Sequence, residues 1–94
     1  LRRIQNKIEI EPVQPQVFDM IFQRVVTTRN VPTDYDSAEY LRKLCLSNGR
    51  TELRACYPLD ILNIIGAISQ YENRPIQVSR PDLERAVHLY FARS

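Results

Sequence analysis

Glycine is almost missing from this sequence, two in 94 residues, so no glycine-rich loop that cradles phosphate can be built within it. One histidine and two cysteines cannot furnish a four-ligand Cys/His zinc site. Cys45 and Cys56 form no CxxC pair and read as reduced thiols of a cytosolic protein, each packing as a small hydrophobe. No apolar run approaches the ~18–20 residues of a membrane span. The basic, Gln-containing start lacks the apolar h-region of a signal peptide. These absences exclude most self-contained enzyme chemistries and leave no place for a membrane.

What is present describes a folded, water-soluble chain. Hydrophobic residues make up 44% and charged residues 26%, the proportions of a globular domain. At this length folding buries roughly 60–70% of the chain's surface, enough for one core, whether the chain stands alone or is a piece of something larger. The formal charge of +2 is too small to indicate a nucleic-acid binder. Eleven of the thirteen basic residues are arginine, however, the residue better suited to interfaces and phosphate contacts.

Residues 1–10 place Ile4, Ile8 and Ile10 on even positions and Arg3, Gln5, Lys7 and Glu9 on odd ones, the alternation of a strand. Pro12 and Pro15 end it, and no second strand stands ready to pair with it. Four helices are expected next. The first opens near Pro15, carries Val17, Phe18, Ile21, Phe22 and Val25 on one face, and stops near Arg29. The second starts at Asp36 or Ser37 and points Ala38, Leu41, Leu44 and Cys45 inward, with Asn48-Gly49 as its left-handed stop.

The third opens with Pro58 and carries Leu59, Ile61, Leu62, Ile64, Ile65, Ala67 and Ile68. Being apolar on most faces, it is expected at the centre of the bundle. Gly66 in its interior costs about 1 kcal/mol against alanine and suggests a close helix contact. After Glu72-Asn73-Arg74-Pro75 and a short extended link, Ser79 caps the fourth helix with Asp82 in the capping-box position. Its inward stripe is Leu83, Ala86, Val87, Tyr90 and Phe91, which leaves His88 outside.

This order of a strand Arg-Ile-Gln-Asn-Lys-Ile-Glu-Ile, a proline bend and four helices, the third opening Tyr-Pro-Leu-Asp-Ile-Leu, resembles the C-terminal part of an AAA+ ATPase module. Within that superfamily it is most similar to the AAA branch. Arg3, Ile4, Gln5, Lys7, Ile8 and Ile10 fall where the family's last core strand carries its arginine and Ile-x-Ile pair. Tyr57 to Ile61 stand where the third lid helix opens, and Ile76 to Glu84 repeat the family's link and acidic helix start. Two departures stand out: Ile4-Gln5 replaces the family's Phe-Asp, and Leu59 occupies the position of a sensor arginine.

The resemblance implies an all-α, four-helix AAA+ lid-type bundle preceded by one short β-strand. Residues 1–11 would be the last strand of a core domain and residues 12–94 the helical lid. Arg3, or else Arg2, would be an arginine finger reaching the γ-phosphate bound by the neighbouring subunit. Tyr57, Pro58, Leu59 and Asp60 would face the nucleotide, with Arg54 a possible substitute for the missing sensor arginine. ATP and Mg2+ would belong to the full-length parent, a ring, expected as a hexamer, acting on a protein client. The fragment itself would hold neither and hydrolyse nothing.

The residues also allow plainer accounts. Arg2 and Arg3 can be solvated residues flanking a strand, and Asp60 can satisfy backbone N–H groups at a helix start. Arg50, Glu52 and Arg54 can be an ordinary polar loop or a surface facing a neighbouring subunit. Two other functional classes stay open: a free-standing helical protein-interaction module and a nucleic-acid-binding helical domain, the latter resting on the arginine bias alone.

Overall fold

A computed structural model describes residues 12–47 and 49–92. The predicted strand over 1–11, with Arg2 and Arg3, lies outside the described residues. Within them the chain folds as four helices: α1 (Pro15–Arg29), α2 (Ser37–Cys45), α3 (Tyr57–Tyr71) and α4 (Arg80–Ala92). Among the described residues backbone pairing outside helices is limited to two single bridges, Pro12 with Arg54 and Thr33 with Val78.

Local chemistry explains most helix ends. Pro15 and Pro58 stand in the first turns of α1 and α3, where a missing N–H costs nothing. Both helices end on a left-handed asparagine, Asn30 at φ 55° and Asn73 at φ 58°. The next N–H in each case reaches back five residues, Val31 to the Val26 carbonyl at 2.9 Å and Arg74 to the Ser69 carbonyl at 3.0 Å, closing a Schellman turn. At the start of α4 the Asp82 N–H lies 3.4 Å from Ser79 Oγ, and that hydroxyl donates to the Asp82 carboxylate at 2.8 Å.

Two expectations about the helices are corrected. Helix α2 does not run to Asn48-Gly49: it stops at Cys45, and Gly49, at φ 85°, turns the loop beyond it. The cap comes from farther along the chain. The Arg50 guanidinium donates to the carbonyls of Cys45 at 2.8 Å and Leu44 at 3.1 Å, the latter shared with the Ser47 hydroxyl at 2.7 Å, so that groups at the helix end find partners.

Nor is α3 the hub. The helices form a closed circuit in which α1 and α4 each pack against both α2 and α3. The stripe Asn63, Ala67 and Gln70, spaced by four and three, turns to solvent, so α3 has one wet face despite its composition. A methyl placed on Gly66 would meet Ile76 Cδ1 at 3.5 Å, an atom of the link after α3 and not of a neighbouring helix.

The core takes Phe18, Phe22 and Val26 from α1 and Ala38, Leu41 and Cys45 from α2. It takes Ile61, Leu62 and Ile65 from α3 and Leu83, Ala86 and Val87 from α4, with Val31, Leu53 and Val78 closing it from the connections. The aromatics Phe18 and Phe22 are wholly buried, as expected of core residues. Both cysteines are free thiols. Burial pushes the Cys45 thiol up to about 12, which keeps it protonated and inert.

Candidate functional site

The predicted nucleotide-facing residues gather at one end of the bundle, where the loop 49–56 runs into α3. Leu53 is the loop's anchor, 4% exposed and part of the core. Its carbonyl accepts the Val13 N–H at 2.8 Å, so the incoming chain lies directly against the loop. The Arg54 carbonyl then takes the Tyr57 N–H at 3.2 Å and the chain turns into α3. A polar cleft of about 240 Å³ opens here, bordered by Arg50, Glu52, Arg54 and Tyr57.

The first turn of α3 separates its residues sharply. Pro58 is buried, so it presents no surface to a ligand, whereas Leu59 is 42% exposed. Tyr57 is half-buried, its ring edge-on to Tyr90 and Phe91 at centroid distances of 5.8 and 5.3 Å. Burial raises its hydroxyl above the ordinary tyrosine range, against the pull of nearby Arg54. Asp60 makes no side-chain cap; α3 has none. Its carboxylate instead accepts the Tyr90 hydroxyl at 2.7 Å, because the tyrosine's buried ring leaves its polar end needing a partner. Burial, and then this hydrogen bond, raise the Tyr90 hydroxyl well above its usual value.

The cations at this end are already engaged. Arg54 pairs with Glu52 at 2.7 Å. Arg50 caps α2 and lays its guanidinium 3.7 Å from the centre of the Phe91 ring, a cation–π contact. The cleft therefore offers no ready phosphate site from its own side chains. Arg50 also borders a larger cleft of about 340 Å³ between the end of α2 and α4, where His88 and Glu84 stand. Among the described residues, none of Arg54, Tyr57, Pro58, Leu59 and Asp60 lines that cleft, and His88 is exposed.

The structural roles of Arg50 and Tyr90 were not foreseen from sequence. For Tyr90 a signal existed, since a tyrosine where phenylalanine would pack equally well implies a hydroxyl partner. For Arg50 none did, because its partners are backbone carbonyls. Among the described residues no group of three or more His, Cys, Asp or Glu side chains could hold a metal ion, and no helix is long and apolar enough to cross a membrane.

Fold and site together define a small four-helix domain whose notable surface is the loop-to-α3 end beside the incoming chain. The chain belongs to the family described as domain of unknown function DUF8689, whose model matches residues 14–89. No curated protein and no solved structure matches it.

Proposed function

We propose that this domain is the helical lid of an AAA+ ATPase, closing over ATP held by a core domain and passing nucleotide state between subunits as rigid-body motion. The observation that carries the reading is the backbone pairing of Pro12 and Val13 with Arg54 and Leu53. It fastens residues 12–13 to the loop that leads into α3, the helix whose opening the family resemblance assigns to the nucleotide. The helix order, the extended link and the Ser79–Asp82 start of α4 support the same reading.

In this proposal Tyr57 and Leu59 supply apolar contact to the adenine side of the nucleotide. The phosphates and Mg2+ fall to the core, since Arg54 is paired with Glu52 and Arg50 with carbonyls. Nucleotide binding that drew Glu52 away would free Arg54 for the role of the missing sensor arginine. Arg3, with Arg2 as the second candidate, acts on the neighbouring subunit's γ-phosphate, where a permanently charged planar fork suits developing negative charge. The ring, its hexameric state, the protein client and a cytoplasmic location belong to the same proposal.

The test is ATP turnover by the parent protein with Arg3→Ala subunits mixed into wild-type rings. Activity should fall out of proportion to the mutant fraction, because each finger serves its neighbour; an unimpaired mixture sinks the finger at Arg3. Metal-dependent ATP turnover by the 94-residue chain alone would overturn the lid reading. A protein-interaction module is the second reading, favoured by the apolar strip on α1, where Val17 is 40% and Met20 65% exposed.

A further inference from the structure

We infer that the outward face of α1 is the docking site for a partner's amphipathic helix, one that carries glutamate or aspartate beside its apolar residues. Val17, Met20, Ile21 and Arg24 stand at positions i, i+3, i+4 and i+7 of α1. Four residues so spaced form the hole that receives one side chain of a facing helix. Together with Val25 they border a depression of about 180 Å³. Phe18, Phe22 and Val26 face the core from the other side of the helix, and Met20 is 65% exposed. The other exposed large hydrophobics among the described residues stand far apart along the chain, as single surface residues commonly do. Val17 and Met20 share one helix face.

The charge on this face selects the partner. The other described cations are engaged: most with carboxylates, Arg29 with the Asn63 side chain, and Arg50 with two carbonyls. Arg24 makes neither an ion pair nor a side-chain hydrogen bond among the described residues, and it forms the fourth wall of the hole. An apolar hole with one unanswered positive wall suits a leucine-like side chain flanked by a carboxylate. A second copy of α1 does not supply one. Its single acidic residue, Asp19, is held by Arg42 at 2.7 Å, so α1 against α1 would bring arginine to an apolar face without a counter-charge. The inference goes beyond the lid reading and does not rest on it.

Amide NMR on the labelled 94-residue chain tests it with two synthetic peptides of about 15 residues, long enough to hold a helix. One is built of Leu, Ala and Glu, with its leucines three and four apart; the other has every Glu replaced by Lys. The Glu peptide should shift the amides of residues 17–25 and bind at least about threefold more tightly than the Lys peptide. Arg24→Glu should reverse that order, and Met20→Asp should weaken the Glu peptide at least about tenfold. Both positions are exposed, so unchanged Phe22 and Ile65 amides report an intact fold in the variants. Peptides that shift no α1 amide overturn the inference, as do shifts centred on another face or a binding order indifferent to Arg24→Glu. A dimer in sedimentation that Met20→Asp dissociates overturns it too, as does Arg24-dependent binding to phosphatidylserine vesicles in place of the Glu peptide. No nucleotide enters these measurements, so their failure leaves the ATPase reading standing, and an unimpaired Arg3→Ala ring leaves the docking site standing.

Discussion

Replacing Gly66 by alanine should stabilise this domain. Gly66 sits inside the 15-residue α3 with helical neighbours on both sides, where glycine is about 0.8–1.0 kcal/mol worse than alanine. Part of that cost is the extra freedom glycine gives the unfolded chain. Space decides whether the gain is realised. A methyl at this position would meet Ile76 Cδ1 at 3.5 Å, an ordinary contact made with the flexible end of a side chain. The position is half-buried, so the methyl adds a little apolar burial as well. The net expectation is a gain of about 1 kcal/mol, equivalent to roughly 4–8 °C in Tm for a domain of this size. Urea titration should show a higher midpoint with an unchanged slope, and calorimetry a higher Tm. A lower midpoint would refute the reasoning, since it would mean that α3 is approached there more closely than the structure shows.

Arg50→Ala should destabilise by about 1–2 kcal/mol, because two α2 carbonyls lose a charged donor, and Arg50→Lys should recover little, lacking the planar fork that serves both; urea midpoints of the pair decide it. Stability should also fall at both ends of the pH scale. The Arg74 and Arg85 hydrogen bonds hold the Glu72 carboxyl below its usual range, and at Asp82 burial is outweighed by bonds from Arg74 and Ser79. That stabilisation is complete above the ordinary carboxylate values and is lost as pH drops through them toward the depressed folded ones. Tyr90, raised by burial and Asp60, and Tyr40, raised by its bond to Glu84, work in the opposite sense: their contribution is complete below the ordinary 10.0 and fades as pH climbs past it. Midpoints measured across pH should show both limbs, and Tyr90→Phe should flatten the alkaline one.

Features set by neighbouring residues were legible in the sequence. Prolines at the starts of α1 and α3, asparagines at their ends and the Ser79–Asp82 pair each act within a turn, so reading along the chain locates them. Features set across the chain were not. The end of α2 depends on a guanidinium five residues beyond it, and Asp60 is claimed by a tyrosine thirty positions away. The solvent face of α3 was present as Asn63, Ala67 and Gln70 but was outweighed by the six larger apolar residues around it. Among the candidate site residues, Tyr57 to Asp60 are consecutive, but packing, which the sequence does not reveal, divides them, hiding Pro58 and leaving Leu59 at the surface.

The aromatic trio carries a consequence for how the protein is made. Tyr57 opens α3, yet the rings that brace it, Tyr90 and Phe91, belong to the last turn of α4, and those two also meet edge-on at 5.0 Å. A ribosome delivers the chain from its N-terminus at about 5–20 residues per second, so α1 to α3 emerge seconds before their final support. During that interval α3 can rest on α1 alone, and the flank that α4 will cover, Tyr57 included, stays open to water.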